Sequence, residues 1–153
     1  MNIAGFLNAS ARSYGERPAV MVGQSTYLDY AALARASAGL GGAMREQFGL
    51  RPGDCVLLAM VNNPDYLTVL FACWQAGLTA VPVNANLHGR EIAHIAADSG
   101  ARLAFVTPEQ AQRCATEMPD LPLILAQSTE FARLAAADPC APVGPTGISE
   151  NSR

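Results

Sequence analysis

The basic side chains, which in many enzymes hold phosphates or activate substrates, are all of one type in this sequence. The ten basic residues of the 153-residue chain are arginines, and lysine is absent. The chain therefore cannot supply a Walker-type phosphate loop, a Schiff-base lysine or a lysine that steadies a transferring phosphate. The formal net charge is -3 and the arginines form no cluster, so the sequence has no electrostatic footprint for nucleic acid.

The other reactive side chains do not combine into a recognisable site. His88 and His94 are six residues apart, which places them on different faces of a helix, and no cysteine or carboxylate cluster completes a metal-binding set. Ser99 and Ser128 lack the G-x-S-x-G context that exposes a nucleophilic serine. We predict no catalytic residue and no metal site, and we interpret the four separated cysteines as reduced structural thiols: Cys55, Cys73, Cys114 and Cys140.

The first fifty residues predict a helix, a hairpin and a longer helix. Apolar residues at helical spacing indicate a first helix that ends near Gly15. Residues 19–27 are typical of two short strands around a tight turn. Asp29 is a suitable cap for the next helix, which stops at Gly49. The glycine-rich stretch 39–42 within it indicates close helix packing and not dinucleotide binding, because no strand precedes it.

Strands and helices alternate from Asp54 onward. The helix after the first strand is predicted to have Asn63 as its cap and Pro64 at its first position. Alternation of this kind predicts an α/β fold that is Rossmann-like, with a largely parallel sheet. Apolar runs typical of strands in such a sheet occur at residues 55–60, 80–83, 103–106 and 122–125. The first run is continuous, as expected of a strand that is buried on both faces.

Composition indicates the domain boundary and the character of the surface. We predict an N-terminal α/β subdomain over residues 1–138 and a linker or disordered tail over residues 139–153, where prolines and glycines are frequent. Hydrophobic residues make up 50% of the chain and charged residues 15%, which predicts exposed apolar patches and self-association. We find no secretory leader and no uninterrupted apolar span of membrane length, so we expect a cytoplasmic protein without an integral membrane segment.

Six short segments occur in a characteristic order along the chain. They are TYLDY at 26–30, GLRPGDCV at 49–56, NNPDY at 62–66, ACWQAG at 72–77, PVNANL at 82–87 and DSGA at 98–101. In this order and spacing they resemble the N-terminal part of the adenylate-forming superfamily, which groups acyl-CoA synthetases, luciferases and nonribosomal adenylation domains. Each segment alone is a turn or a helix cap with ordinary structural uses, so the resemblance depends on the whole set.

The resemblance implies that the chain is the N-terminal part of a larger domain. Enzymes of this kind activate a carboxylic acid, fatty acids included, with ATP and Mg2+ to an acyl-adenylate and then transfer the acyl group to CoA. Their phosphate loop, adenine-binding residues and catalytic lysine have no counterpart in this sequence. We therefore expect no cofactor in this chain, no activity in isolation, and the remainder of the parent enzyme as its partner.

One of the matching segments corresponds to a ligand contact in some relatives. Where those relatives have N-P-R-L, with the arginine against a CoA phosphate, this chain has Asn84-Ala85-Asn86-Leu87. Arg90, in the first turn of the next predicted helix, is the candidate replacement for that charge, since a helix start favours anions. The alternative interpretation is a solvated surface arginine.

A non-enzymatic function is the alternative to a ligase fragment. The chain would then be a small, complete α/β domain that binds a ligand or partner and shares only the scaffold. Such a domain should have polar sheet edges and a closed surface, whereas the apolar strands and low charge favour the fragment. A compact, cooperative monomer in solution is expected only of the stand-alone domain.

Overall fold

The computed structural model describes residues 2–144, and residues 145–153 of the predicted tail lie outside the described part. No helix in the described part is long and apolar enough to cross a bilayer. In chain order the elements are α1 (Ala4–Tyr14), β1 (Pro18–Val22), β2 (Ser25–Asp29), α2 (Tyr30–Glu46), β3 (Cys55–Ala59), α3 (Tyr66–Gln75), β4 (Thr79–Pro82), α4 (Gly89–Ser99), β5 (Leu103–Val106), α5 (Pro108–Glu117), β6 (Leu123–Leu125) and α6 (Thr129–Ala135).

Four strands form a parallel sheet in the order β4-β3-β5-β6, while β1 and β2 form a separate antiparallel hairpin. In the central pair, Val56 of β3 lies opposite Leu103 of β5. The side chain of Asp29 caps α2 by accepting a hydrogen bond from the Ala32 N–H at 2.7 Å. The predicted α/β fold, with Rossmann-like alternation and a preceding helix and hairpin, is confirmed.

Alternate residues of the strands pack against helices on opposite faces of the sheet. Each large apolar side chain buried in this way stabilises the folded state by about 1.5–3 kcal/mol, so the stability of the fold depends on the helices on both faces of the sheet. The residues that face α2, α3 and α6 are Val56, Leu58, Leu103, Phe105 and Ile124. The residues that face α4 and α5 are Leu57, Ala59, Ala104 and Val106.

The start of α3 differs from the prediction. The helix begins at Tyr66, not at Pro64, and Asn63 is not its cap. The Asn63 side chain accepts a hydrogen bond from the Asp65 N–H at 3.0 Å, and the Asn63 carbonyl accepts one from the Tyr66 N–H at 3.2 Å. The predicted cap was therefore wrong, because Asn63 and Pro64 form a tight turn ahead of the helix.

Glycines inside α2 allow the chain after α6 to pack directly on that helix. A Cβ atom on Gly39 would overlap the carbonyl oxygen of Ala135, and one on Gly42 would overlap that of Asp138. Both neighbours are backbone atoms, which cannot turn aside as a flexible side chain would. The prediction that this stretch serves close packing is confirmed.

Residues 136–144, which follow α6, have neither helix nor strand, and they are hydrogen-bonded across α2 and α3. The Cys140 N–H donates to the Ala38 carbonyl at 3.1 Å, and the Gln75 side-chain amide donates to the Cys140 carbonyl at 2.9 Å. The Val143 N–H donates to the Gln75 carbonyl at 2.9 Å. The described start of the predicted linker is thus attached to the α/β unit through Gln75, which is 5% exposed.

Substituting Gly39 tests the close packing on α2. We expect Gly39→Ala to lower the free energy of unfolding by about 1–3 kcal/mol, because the new methyl group meets a backbone carbonyl. Gly5→Ala is the matched control, since a Cβ there meets nothing within 4 Å and a helical alanine is favoured by up to about 1 kcal/mol. Urea midpoints of the two variants check this, and equal midpoints would contradict it.

Candidate functional site

The carboxyl ends of β3 and β5 form the edge at which a sheet of this order offers a ligand crevice. The connection after β3 runs to β4 on one side, and the connection after β5 runs to β6 on the other. Open α/β sheets bind their ligands where two such connections diverge. A phosphate-bearing cofactor is therefore expected at this edge, if anywhere in the fold.

The crevice is occupied by side chains of the chain itself. The Val61 N–H, just after β3, donates to Oγ1 of Thr107 at 3.1 Å, and the Thr107 hydroxyl donates to Oε1 of Gln110. The Gln110 side-chain amide then donates to the carbonyl of Ala85, after β4, at 2.9 Å. Thr107 and Gln110 are each 3% exposed. This Thr107–Gln110 network ties together the loops that follow three neighbouring strands.

The closed edge does not fit the phosphates of ATP. Phosphate-binding turns use glycine so that backbone N–H groups can approach the ligand, and residues 60–65 and 107–110 contain no glycine. The inward polar side chains, Thr107 and Gln110, are already paired with each other and with the loop backbones. Across residues 2–144, no group of three His, Cys, Asp or Glu side chains could hold Mg2+.

Arg90 lies in the first turn of α4, which follows the carboxyl end of β4. Its side chain is 90% exposed, and its Nε lies 3.9 Å from Oε1 of Glu117. The adjacent Glu91 accepts a hydrogen bond from the His88 N–H at 2.9 Å. The structure thus places Arg90 in the predicted first turn of the helix with an exposed side chain, and the nearby carboxylate of Glu117 reduces the local positive potential.

A second polar cluster centres on the carboxylate of Asp65, which is 4% exposed. Its Oδ1 accepts a hydrogen bond from the Tyr27 hydroxyl at 2.9 Å, and its Oδ2 accepts one from the Gln127 N–H at 2.8 Å. Burial, together with the neighbouring Asp65, raises the pKa of Tyr27 to about 12, so this hydroxyl remains a donor at neutral pH. The cluster joins the hairpin, α3 and the β6–α6 turn.

Gln127 adopts a backbone conformation that this cluster requires. Its φ is 57°, and it is the one non-glycine residue with positive φ among residues 2–144. That conformation is unfavourable for a side chain other than glycine, and the hydrogen bond from its N–H to Asp65 compensates. The turn is therefore held in place by the buried carboxylate.

The cysteines are free thiols. Burial raises the pKa of Cys73 to about 12, and burial also raises the pKa of Cys114 and of Cys140. Because the thiolate is the nucleophilic form, these three side chains are poorly suited to covalent chemistry at neutral pH. Their interpretation as structural thiols agrees with this environment.

The residues of the two polar clusters were not predicted from the sequence to be partners. Asp65 belongs to one of the matching segments, yet Tyr27 and Gln127 lie 38 and 62 residues away from it. Thr107 has the residue type of a helix cap, but its hydroxyl makes no cap hydrogen bond and pairs with Gln110. Only the polar residue types at strand ends could have served as a signal, and they specify no partner.

Comparison with known sequences identifies the family. A sequence model of the family described as AMP-binding enzyme matches residues 7–146. Feruloyl-CoA synthase from an Amycolatopsis species is 47% identical over 90 residues, which are 59% of this chain and 18% of that protein. The fatty acid–[acyl-carrier-protein] ligase ScoC of Streptomyces coeruleorubidus is 39% identical over 92 residues, which are 60% of this chain and 17% of that protein.

Solved structures share the fold. A benzoate CoA ligase from Burkholderia xenovorans LB400 matches with a TM-score of 0.86 at 22% identity, over 96% of this chain and 31% of that one. The N-terminal domain of FACL13 from Mycobacterium tuberculosis matches with a TM-score of 0.82 at 23% identity, over 99% of this chain and 40% of that one. The chain spans less than a fifth of the two curated relatives. Because the family model covers most of its length, the chain belongs to the AMP-binding enzyme family.

Proposed function

We propose that this chain is the N-terminal scaffold of an AMP-forming acyl-CoA ligase. The parent enzyme would join a carboxylic acid to CoA through an acyl-adenylate, with ATP and Mg2+, and the chain alone would be inactive. Family membership supports the reaction class. The observation that carries the scaffold role is the closed carboxyl edge, where the Thr107–Gln110 network occupies the crevice.

The distribution of charge supports inactivity in isolation. Adenylate formation requires preorganised positive charge around the transferring phosphate. The chain has no lysine, and Arg102 is paired with Asp54 at 3.1 Å, at the amino edge of the sheet and away from the crevice. The cationic groups would therefore come from the remainder of the parent enzyme, which we propose as the partner of this chain.

The acyl substrate is proposed as a carboxylic acid, and the relatives support two kinds. ScoC and a long-chain-fatty-acid–CoA ligase of Yersinia pestis, the latter 33% identical over 96 residues, support the fatty acid metabolism that we expected. Feruloyl-CoA synthase supports an aromatic acid. The four free cysteines are consistent with the cytoplasmic location that we propose, since reducing compartments preserve thiols.

Exposed apolar side chains favour the fragment over a stand-alone domain. Phe6 is 60% exposed, Ile3 49%, Leu67 40% and Val61 37%. Single exposed hydrophobic residues are ordinary, but Ile3 and Phe6 lie close together at the start of one helix, and such patches mark interfaces. We propose that they are covered in the parent enzyme and that they cause self-association of the free chain.

A chimaera tests the scaffold role. Residues 1–144, exchanged for the matching segment of the Amycolatopsis feruloyl-CoA synthase, should preserve feruloyl-CoA formation, because the exchange replaces supporting contacts and no catalytic group. The isolated chain should show no ATP–pyrophosphate exchange above background with ferulate, benzoate or a long-chain fatty acid. A folded chimaera without activity, or exchange catalysed by the isolated chain, would contradict the proposal.

We further propose that Arg90 contacts a phosphate of CoA in the parent enzyme. In the chimaera, Arg90→Ala should raise the KM for CoA about two- to fivefold, as expected for one exposed charge pair. ATP–pyrophosphate exchange, which needs no CoA, should not change. Arg12→Ala removes an exposed arginine from α1 and serves as the control. An unchanged KM would identify Arg90 as a solvated surface residue.

A further inference from the structure

The two edges of the parallel sheet differ in what their backbones offer to a further strand. The edge strands are β4 and β6. An edge strand has a row of N–H and C=O groups that its one neighbour does not use, and such a row can pair with another strand. Because the residues of a strand in a parallel ladder alternate in the direction of these groups, the bonds to the inner neighbour show which residues face outward.

The edge at β4 is poorly suited to pair with a strand. The N–H groups of Thr79 and Val83 donate inward, at 2.8 and 3.1 Å, to carbonyls at and just before β3. Ala80 and Pro82, which alternate with them, therefore face outward. Since proline has no N–H group, Ala80 supplies the single outward donor of β4.

The edge at β6 offers both donors and acceptors. The carbonyl of Pro122 and the N–H of Ala126 are bonded to β5, at 3.0 and 2.9 Å, so Leu123 and Leu125 face outward. Within the described part of the chain, neither of their N–H groups has a hydrogen-bond acceptor. The Leu125 carbonyl accepts a bond from the Ser128 hydroxyl at 2.6 Å, which leaves one of its two lone pairs for a further donor.

The β6 edge also lacks the features that usually prevent one sheet edge from pairing with another. Soluble proteins protect such edges with charged side chains, outward prolines or bulges. Residues 121–129 contain no charged side chain, and β6 pairs with β5 in a regular register. Leu125 is 36% exposed, so solvent reaches this edge. Two copies of the strand can therefore approach each other without repulsion between like charges.

We propose that β6 pairs with β6 of a second copy of this chain, antiparallel and about a twofold axis perpendicular to the sheet. Ile124 then lies opposite Ile124 of the second copy, and Leu123 lies opposite Leu125 of the second copy. Opposed residues whose backbones face each other exchange both of their N–H to carbonyl bonds, and the axis creates this Leu123–Leu125 pair twice. Twofold symmetry is the commonest in homo-oligomers.

The side chains of β6 fit an identical partner. Leu123 packs on the face of the sheet that is covered by α4 and α5, and Leu125, two residues on, shares that face. In the proposed pairing each Leu123 is the cross-strand neighbour of Leu125 in the other copy, a contact between apolar side chains that stabilises paired strands. Because β6 has three residues, few bonds form, and we expect association only at high protein concentration.

Amide hydrogen exchange of the chain at increasing concentration tests the proposal. From about 10 μM to about 1 mM, exchange at Leu123 and Leu125 should slow with the same midpoint as the rise in mass measured by sedimentation. The Ala80 amide, the outward donor of the other edge, should exchange fast throughout. In a mixture of isotope-labelled and unlabelled chains, NMR should detect the α protons of the two Ile124 residues close together, since Cα atoms in such a pair are about 4.5 Å apart.

Three variants locate the contact. Leu125→Pro removes an outward N–H group and no bond to β5, and it should weaken dimerisation at least about tenfold, because each copy loses a donor. Leu125→Lys keeps the backbone groups and should weaken dimerisation by placing like charges at the contact. Ala80→Pro removes an outward N–H group from the β4 edge and should have no effect.

A fourth variant, Phe6→Ser, separates this contact from the exposed apolar residues of α1. It should leave the slowed exchange at Leu123 and Leu125 unchanged. A chain that stays monomeric up to about 1 mM would overturn the proposal, and so would dimerisation that Phe6→Ser abolishes and Leu125→Lys retains. If Leu125→Pro does not fold, unchanged dimerisation of Leu125→Lys would still overturn it.

A different occupant of the edge would also be recognised. Slow exchange at Leu123 and Leu125 that does not depend on concentration would overturn the proposal, because the edge would then be covered by residues of the same chain. The proposal does not depend on the proposed ligase function, whose failure would appear in the chimaera and not in these measurements.

Discussion

Burial of β3 on both faces is the constraint on which the rest of the structure depends. Four of the five residues of this strand are buried, from Val56 to Ala59, and successive side chains point to opposite faces. One helical layer can cover only one face, so helices lie on both sides of the sheet. The backbone of β3 is hydrogen-bonded to β4 on one side and to β5 on the other, so the polar side chains lie in the loops at the strand ends.

The polar side chains at the carboxyl ends of the strands hold the surrounding loops together by hydrogen bonds. In many parallel sheets this edge is open and lined by glycine, so that phosphates approach the backbone. Here Thr107 and Gln110 close it and join three loops, while Asp65 joins the hairpin to the β6–α6 turn. These contacts support the scaffold role that we propose, and the chain spans less than a fifth of its two curated relatives.

The elements could be predicted from the sequence, whereas the long-range polar contacts could not. Apolar periodicity and glycine stops located the strands and helices, because both depend on neighbouring residues. Asn63 was assigned to the wrong role, since in a turn and in a helix cap the same side-chain oxygen can accept a hydrogen bond from the N–H two residues on. The two differ in whether the helix begins at the next residue, and here it begins at Tyr66. The pairing of Tyr27 with Asp65 depends on how the hairpin docks, and no local pattern encodes that docking. The crevice at the carboxyl edge could not be predicted either, because locating it requires the order of the strands in the sheet.

The central claim, a folded scaffold without phosphate-binding groups, is tested most directly by titrating MgATP into the isolated chain and following its amide NMR spectrum. The account predicts a dispersed spectrum that stays unchanged up to about 10 mM MgATP, well above the roughly 1 mM upper range of substrate KM values. Saturable shifts in the loops that contain Val61, Ala85 and Thr107 would contradict it, because they would place a nucleotide where the structure has a closed edge.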